Sequence, residues 1–160
     1  TSYFALSNGR TEASEKVWGT ALPYLVPVDS STDTAAENYA FTLNLSAAQL
    51  QQLLAERLGI AADLSQQAQW FGTPVLTPSG YVDTLPVCGQ TVRGTALRKA
   101  LGLRSACFTV AYQSGTFSFT TKGYGHGVGM SQWGAKAMAE QGADWRAILA
   151  HYYPGTTLRW

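Results

Sequence analysis

Alternation of apolar and polar positions predicts a β-hairpin in the second half of the chain. Residues 106–112 and 116–121 both alternate, and the turn formers Gln113, Ser114 and Gly115 lie between them. A further strand is predicted at residues 39–43, and prolines and glycines divide residues 73–94 into short strands. The chain is therefore expected to contain short, mostly antiparallel strands.

A helical repeat of apolar positions predicts the first main helix. Ser46 and Gln49 have the spacing of a capping box, leucines recur on one face after them, and Gly59 is a typical helix stop. Two shorter helices are predicted at residues 95–101 and after the N-cap residue Asp144. The two main helices are predicted at residues 46–58 and 128–141.

These elements together predict an α+β fold with three to four helices, in a single domain over residues 1–160. A chain of 160 residues can bury a core without disulfides or metals. Residues 60–72 carry no pattern that predicts an element.

Charge and hydropathy exclude two classes of partner. Charged residues make up 13% of the chain and the net charge is +1, so no basic surface for nucleic acid is expected. No run of 18 apolar residues occurs, so no membrane contact by this chain is expected. The chain opens on a pattern typical of a strand in progress, and we expect it to be part of a longer protein.

Cys88 and Cys107 lack the CxxC spacing of a zinc site, and only His126 and His151 could join them as ligands. We predict no metal site and no cofactor. Either one disulfide between the two cysteines or two buried thiols fits the sequence.

The first candidate site is the turn set Ser7-Asn8-Gly9-Arg10, because Asn and Gly both tolerate positive φ. A sharp bend here would bring together the polar groups of Ser7, Asn8, Arg10, Thr11 and Glu12. A plain hairpin turn without a ligand fits the same residues.

The second candidate site is the loop at residues 123–129, in which every second residue is glycine. Such a backbone can approach a ligand closely or adopt conformations closed to other residues. The following helix would direct its amino-terminal N–H groups toward His126. The phosphate-loop and dinucleotide motifs are both absent from the sequence.

Ser131 could act as a nucleophile with His126, although no GxSxG elbow is present. Alternatively, His126 hydrogen-bonds the glycine loop, while Ser131 and Gln132 cap the helix. Of the ten acidic residues, only Glu12, Glu15 and Asp29 lie beside either motif, and their spacing does not indicate the carboxylate pair of a typical glycosidase.

Three segments carry a resemblance to a known family. They are SNGRTEASEKVWGTALPYLVPVDS, GTALRKALGLRS and GYGHGVGMSQWGAKAMAEQGADWRAILAHYYPGTTL. In this order they resemble the stage II sporulation protein D (SpoIID) and amidase-enhancer family of bacterial cell-envelope proteins, over nearly the whole chain.

The resemblance implies a peptidoglycan lytic transglycosylase that acts on glycan strands lacking stem peptides. One carboxylic acid suffices for this reaction: it protonates the glycosidic oxygen, then accepts the proton of the muramic C6 hydroxyl, which closes on C1 to give a 1,6-anhydro product. The family's glutamate lies in a helix resembling EALKAQAVAARTYA, which this sequence lacks. The chain is therefore expected to correspond to the carboxyl-terminal two thirds of the domain, to contain no catalytic residue and to be inactive alone.

The resemblance also implies partners and substrate-binding residues. The expected partners are peptidoglycan glycan strands and a cell-wall amidase, in an extracytoplasmic location with the signal or anchor upstream. A non-catalytic peptidoglycan-binding module that enhances an amidase is the alternative. The substrate-binding residues are predicted to be Ser7, Asn8, Gly9, Arg10, Thr11, Glu12, Trp18, Tyr24, His126, Gly127, Gly129, Ser131 and Gln132.

Overall fold

The computed structural model describes residues 2–157 and 159 and has the predicted α+β fold. In chain order the strands are β1 (Tyr3–Phe4), β2 (Ala40–Ser46), β3 (Val75–Leu76), β4 (Val82–Val87), β5 (Gln90–Arg93), β6 (Phe108–Gln113), β7 (Thr116–Lys122) and β8 (Met130–Ser131). The α-helices are α1 (Ser14–Trp18), α2 (Ala47–Leu58), α3 (Gly94–Leu101), α4 (Gln132–Glu140) and α5 (Trp145–Tyr152). Two 3₁₀ helices lie at Ser31–Ala35 and Leu64–Gln69.

The chain forms two compact units. Unit 1 consists of Thr1–Tyr39 and Gly123–Trp160, and unit 2 consists of the intervening segment Ala40–Lys122. Both candidate sites belong to unit 1.

Unit 2 contains two three-stranded antiparallel sheets, with strand orders β2-β7-β6 and β3-β4-β5. The predicted hairpin is confirmed as β6 and β7, which close at the pair Gln113 and Thr116. Ser114 and Gly115 form its turn at φ values of 47° and 81°. Both angles are positive, as the tight two-residue hairpin turn requires.

The predicted capping box of α2 is confirmed. The Gln49 N–H donates to Ser46 Oγ at 3.2 Å, and the Ser46 N–H donates to Gln49 Oε1 at 2.9 Å. Gly59 ends the helix in the left-handed conformation. The leucine face of α2 is buried in the core of unit 2, where the rings of Trp70 and Phe117 stack with centroids 5.1 Å apart.

In unit 1, β1 and β8 form a parallel pair, with Tyr3 opposite Met130. This pairing keeps Met130 and Ser131 extended, so α4 begins at Gln132 and not at residue 128 as predicted. A local helical pattern is overridden here by hydrogen bonds to a distant segment. The core of this unit is formed by Leu25, Val128, Ile148, Tyr152 and Tyr153.

Cys88 and Cys107 are both free, half-buried thiols, so the disulfide alternative is wrong. Burial raises the pKa of the Cys88 thiol. Within residues 2–157 and 159, no three His, Cys, Asp or Glu side chains are grouped as metal ligands. In the same residues, no helix has the length and apolarity that crossing a membrane requires.

Candidate functional site

The sharp bend expected at residues 7–10 is present, and side chains of the turn itself hold it. The Gly9 N–H donates to Ser7 Oγ and the Arg10 N–H to Asn8 Oδ1, both at 3.0 Å. Gly9 has a φ of +112°, where side-chain-bearing residues are strained. Tyr39 also donates its hydroxyl to the Asn8 carbonyl at 2.7 Å. The bend is therefore a fixed structure.

A buried carboxylate anchors this bend. Asp33 is fully buried, and its Oδ2 accepts the Ser7 N–H at 2.7 Å and the Ser30 hydroxyl at 3.1 Å. Ser30 Oγ also lies 2.8 Å from the Tyr152 hydroxyl oxygen. Burial, more than the nearby carboxylates, raises the pKa of Tyr152 to about 12, so the phenol stays neutral. Asp33 is connected in this way to both the bend and α5.

The glycine loop packs against the amino-terminal segment of its own unit. Leu6 and Tyr124 exchange two backbone hydrogen bonds, and the Glu12 N–H donates to the Gly127 carbonyl at 2.7 Å. A Cβ on Gly123 would lie 2.7 Å from the Leu6 carbonyl oxygen, and one on Gly125 would lie 2.8 Å from the Phe4 Cβ. Both glycines have positive φ. At these two positions, the glycine spacing therefore permits close contact within the protein.

Half-buried His126 contacts two aromatic rings of unit 1. Its ring centroid is 5.6 Å from that of Phe4, which is buried, and 5.4 Å from that of Trp18, which is 48% exposed. Its Nδ1 accepts the Val128 N–H at 3.1 Å, so His126 makes the expected hydrogen bond to the glycine loop. Because Nδ1 is the acceptor, the proton of the neutral imidazole is on Nε2.

The amino terminus of α4 is occupied by contacts within unit 1. Ser131 is fully buried, and its Oγ accepts the Gly134 N–H at 3.2 Å, which is the predicted capping role. The Trp133 N–H donates to the Ala5 carbonyl at 3.1 Å. This contact and the burial of Ser131 favour the capping alternative over the nucleophile alternative. The Gly134 and Trp133 N–H groups are thus used within unit 1, so this helix end has fewer amides left for a ligand than predicted.

Burial divides the predicted substrate-binding residues into three groups. Exposed side chains are those of Arg10, Trp18 and Gln132, whereas Asn8, Gly9, Tyr24 and His126 are half-buried. Ser7, Thr11, Glu12, Gly127, Gly129 and Ser131 are buried. The buried polar side chains support the backbone: Thr11 Oγ1 accepts the Val28 N–H at 2.8 Å, and Glu12 Oε1 accepts the Ala13 N–H at 2.8 Å.

Sequence reasoning missed three residues of this region. Asp33 looked like a loop residue, although Ser30 and Asp33 have the S-x-x-D spacing of a helix start. The hydroxyl contact of Tyr152 to Ser30, 122 residues away in the sequence, has no local signal. Tyr124 is 49% exposed next to the His126 loop, and its position between two glycines was the available signal.

Known proteins match the chain over nearly its whole length. Stage II sporulation protein D of Bacillus amyloliquefaciens is 41% identical over 157 residues, which are 98% of this chain and 44% of that protein. The protein of the same name from Bacillus subtilis (strain 168) is 40% identical over 157 residues, with the same two shares. Amidase enhancer of Bacillus subtilis (strain 168) is 28% identical over 215 residues, covering 98% of this chain and 29% of that protein.

The chain spans less than half the length of these curated relatives. No protein-family model matches it. Over nearly all of its residues, the chain is homologous to stage II sporulation protein D and to amidase enhancer, the two proteins after which the family indicated by its motifs is named.

Proposed function

We propose that unit 1 binds glycan strands of peptidoglycan as part of a cell-wall lytic transglycosylase domain, outside the cytoplasm. The observation that carries this proposal is the half-exposed Trp18 ring beside His126, in a chain homologous to stage II sporulation protein D. Flat, uncharged sugar faces pack well against exposed aromatic rings. Buried Phe4 also contacts the His126 ring, which helps to hold His126 in position before a ligand arrives.

Exposed polar groups of unit 1 can select a glycan by hydrogen bonding. The exposed guanidinium of Arg10 offers several donors, and the exposed amide of Gln132 offers both donors and an acceptor. The buried Ser7, Thr11 and Glu12 act as positioning residues, since they hold the backbone that carries Arg10.

The reaction proposed for this domain needs a carboxylic acid that can reach the glycosidic oxygen. The Glu12 and Asp33 carboxylates are buried and accept hydrogen bonds from the backbone of their own unit. These contacts favour a supporting role for both. We propose that this chain contributes glycan binding, and that the proton donor is a glutamate outside it, because the family that the chain resembles has its glutamate in a helix that this sequence lacks.

Binding to glycan strands stripped of stem peptides tests the site. Trp18→Ala should lower the retained fraction, with an affinity loss of about tenfold if stacking contributes about 1.4 kcal/mol. Trp145→Ala is the matched control, because Trp145 lies in α5 and is 46% exposed against 48% for Trp18. Equal retention of the two variants would refute the proposed site.

Product analysis tests the division of labour. The purified chain should release no 1,6-anhydro-muramyl ends from the same glycan strands, as judged by mass spectrometry. Release of such ends by the chain alone would show that it contains its own acid.

A second candidate function is a non-catalytic module that binds peptidoglycan and enhances a cell-wall amidase. It is favoured by the likeness to a protein named amidase enhancer and by the engagement of both buried carboxylates in structural bonds. Adding the chain to a purified cell-wall amidase should then raise the rate of stem-peptide release. An unchanged rate, together with retained glycan binding, would favour the transglycosylase proposal.

A further inference from the structure

Strand β6 of unit 2 has one edge without a strand partner. In the sheet order β2-β7-β6, β6 pairs with β7 alone, within the part of the chain that the structure describes. Natural proteins usually protect such an edge with charged residues or proline. The sequence of β6, FTVAYQ, contains neither.

The hydrogen-bond register shows which backbone groups point outward. The Lys122 N–H donates to the Cys107 carbonyl at 2.9 Å, so these residues form a hydrogen-bonded pair. Hydrogen-bonded and non-hydrogen-bonded pairs alternate along an antiparallel ladder. Phe108, Val110 and Tyr112 therefore direct their N–H and C=O groups away from β7. These outward groups repeat every second residue, or about every 6.8 Å.

An apolar pocket of about 460 Å³ opens along this edge. The consecutive residues Cys107, Phe108, Thr109 and Val110 all line it. Successive side chains of a strand point to opposite faces, so a pocket that Phe108, Thr109 and Val110 of β6 all line must reach the edge of that strand. The backbone groups of β6 are therefore at the pocket.

Thr120 and Lys122 of β7, loop residues between positions 71 and 80, and the second sheet of unit 2 form the remaining walls. Leu76 of the edge strand β3 and Val82 and Leu85 of β4 line the pocket. The Val82 N–H donates to the Ala106 carbonyl at 2.9 Å, which joins the two sheets just before β6 begins. The pocket is thus a cleft between β6 and β7 of one sheet and β3 and β4 of the other, closed at one end.

The chemistry of this cleft selects one kind of occupant. Regularly spaced backbone donors and acceptors match an added peptide strand, and the adjoining apolar pocket takes a side chain of that strand. Lys122 is the charged residue among those that line the pocket, and it complements a carboxylate. We propose that β6 binds an extended segment of a partner protein, which adds as a strand, inserts an apolar side chain into the pocket and places a carboxylate near Lys122.

Selection of a random octapeptide library on the purified chain tests this proposal. Peptides enriched over a selection without protein should contain an apolar residue and an acidic group, and they should bind the chain in a fluorescence anisotropy titration. On binding, hydrogen exchange should slow at the Phe108, Val110 and Tyr112 amides. The Thr109 and Ala111 amides, which already face β7, should change little.

Two neighbouring residues of β3 provide a matched pair of variants. Leu76 lines the pocket and is 54% exposed, whereas Val75 does not line it and is 59% exposed. Leu76→Ser should weaken peptide binding about fivefold or more, and Val75→Ser less than about twofold. Lys122→Gln should weaken binding at low salt, with Lys99→Gln in α3 as its control, because Lys99 is exposed and lies outside the pocket lining.

Three results would overturn the proposal. The first is that no peptide is enriched over the selection without protein. The second is equal binding by the Leu76→Ser and Val75→Ser variants. The third is a concentration-dependent dimer that slows exchange at the same three amides without peptide, because the occupant would then be a second copy of the chain.

Discussion

Gly134 of α4 lies where the anchoring network leaves no room for a side chain. A Cβ at this position would overlap the Tyr152 hydroxyl oxygen, and it would lie 2.5 Å from Ser30 Oγ and 3.0 Å from Asp33 Oδ1. Tyr152, Ser30 and Asp33 are 1%, 3% and 0% exposed, so none of them can move into solvent. Gly134→Ala should therefore displace the network that holds the bend at residues 7–10.

The expected cost is the sum of three effects. Overpacking a closed core costs about 1–3 kcal/mol, and losing the hydrogen bond between Ser30 and Tyr152 costs about 1 kcal/mol. Alanine recovers about 1 kcal/mol, because it favours a helix interior over glycine by that amount. Gly134→Ala should thus lower the free energy of unfolding by about 1–3 kcal/mol, although glycine-to-alanine changes in helices usually stabilise.

Urea unfolding of four variants tests this reasoning. Tyr152→Phe removes the oxygen that a Cβ would overlap, so the Gly134→Ala/Tyr152→Phe double variant should be more stable than the sum of the single effects by at least about 1 kcal/mol. Ala139→Gly, at an exposed position of the same helix, measures the helix-propensity effect alone. A stabilising Gly134→Ala, or strictly additive effects in the double variant, would refute the packing argument.

Two further predictions concern stability. The pKa of Tyr152 is raised to about 12 in the folded chain. Its contribution to the free energy of unfolding is therefore complete below pH 10 and is lost as the pH rises from 10 to 12. The free energy of unfolding should fall by up to about 3 kcal/mol across this window. Tyr152→Phe should make this fall less steep. An equally steep fall in the variant would show that ionisation of Tyr152 is not its cause. Ser46→Ala breaks the capping box of α2 and should cost about 1 kcal/mol in urea unfolding, and a change near zero would show that Gln49 holds the helix start alone.

The capping box, the hairpin turn at Ser114 and Gly115, and the bend at Gly9 could all be predicted from the sequence. Each depends on groups within a few residues of one another, where side-chain chemistry and allowed φ values decide the conformation. The motifs around His126 likewise indicated the family and a candidate region. These short-range features determined the α+β class and the position of most elements.

The roles of individual site residues required the tertiary structure. Sequence patterns could not separate exposed Arg10 and Trp18 from buried Ser7 and Glu12, because burial depends on which distant segment packs over each residue. Asp33 shows the same limit: it lies in a polar stretch of sequence, yet it is buried against groups brought to it by the bend and, through Ser30, by α5.

The start of α4 illustrates the physical reason. Val128, Met130 and Ser131 fit a helical pattern locally, but Met130 and Ser131 form β8 opposite Tyr3 and Phe4, at the other end of the sequence. Hydrogen bonds between such distant segments form only in the folded chain, and there they outweigh weak local helix propensities. The sequence alone therefore determined the local elements and the family, whereas the tertiary structure decided where α4 begins, which motif residues reach the surface and which support them from below.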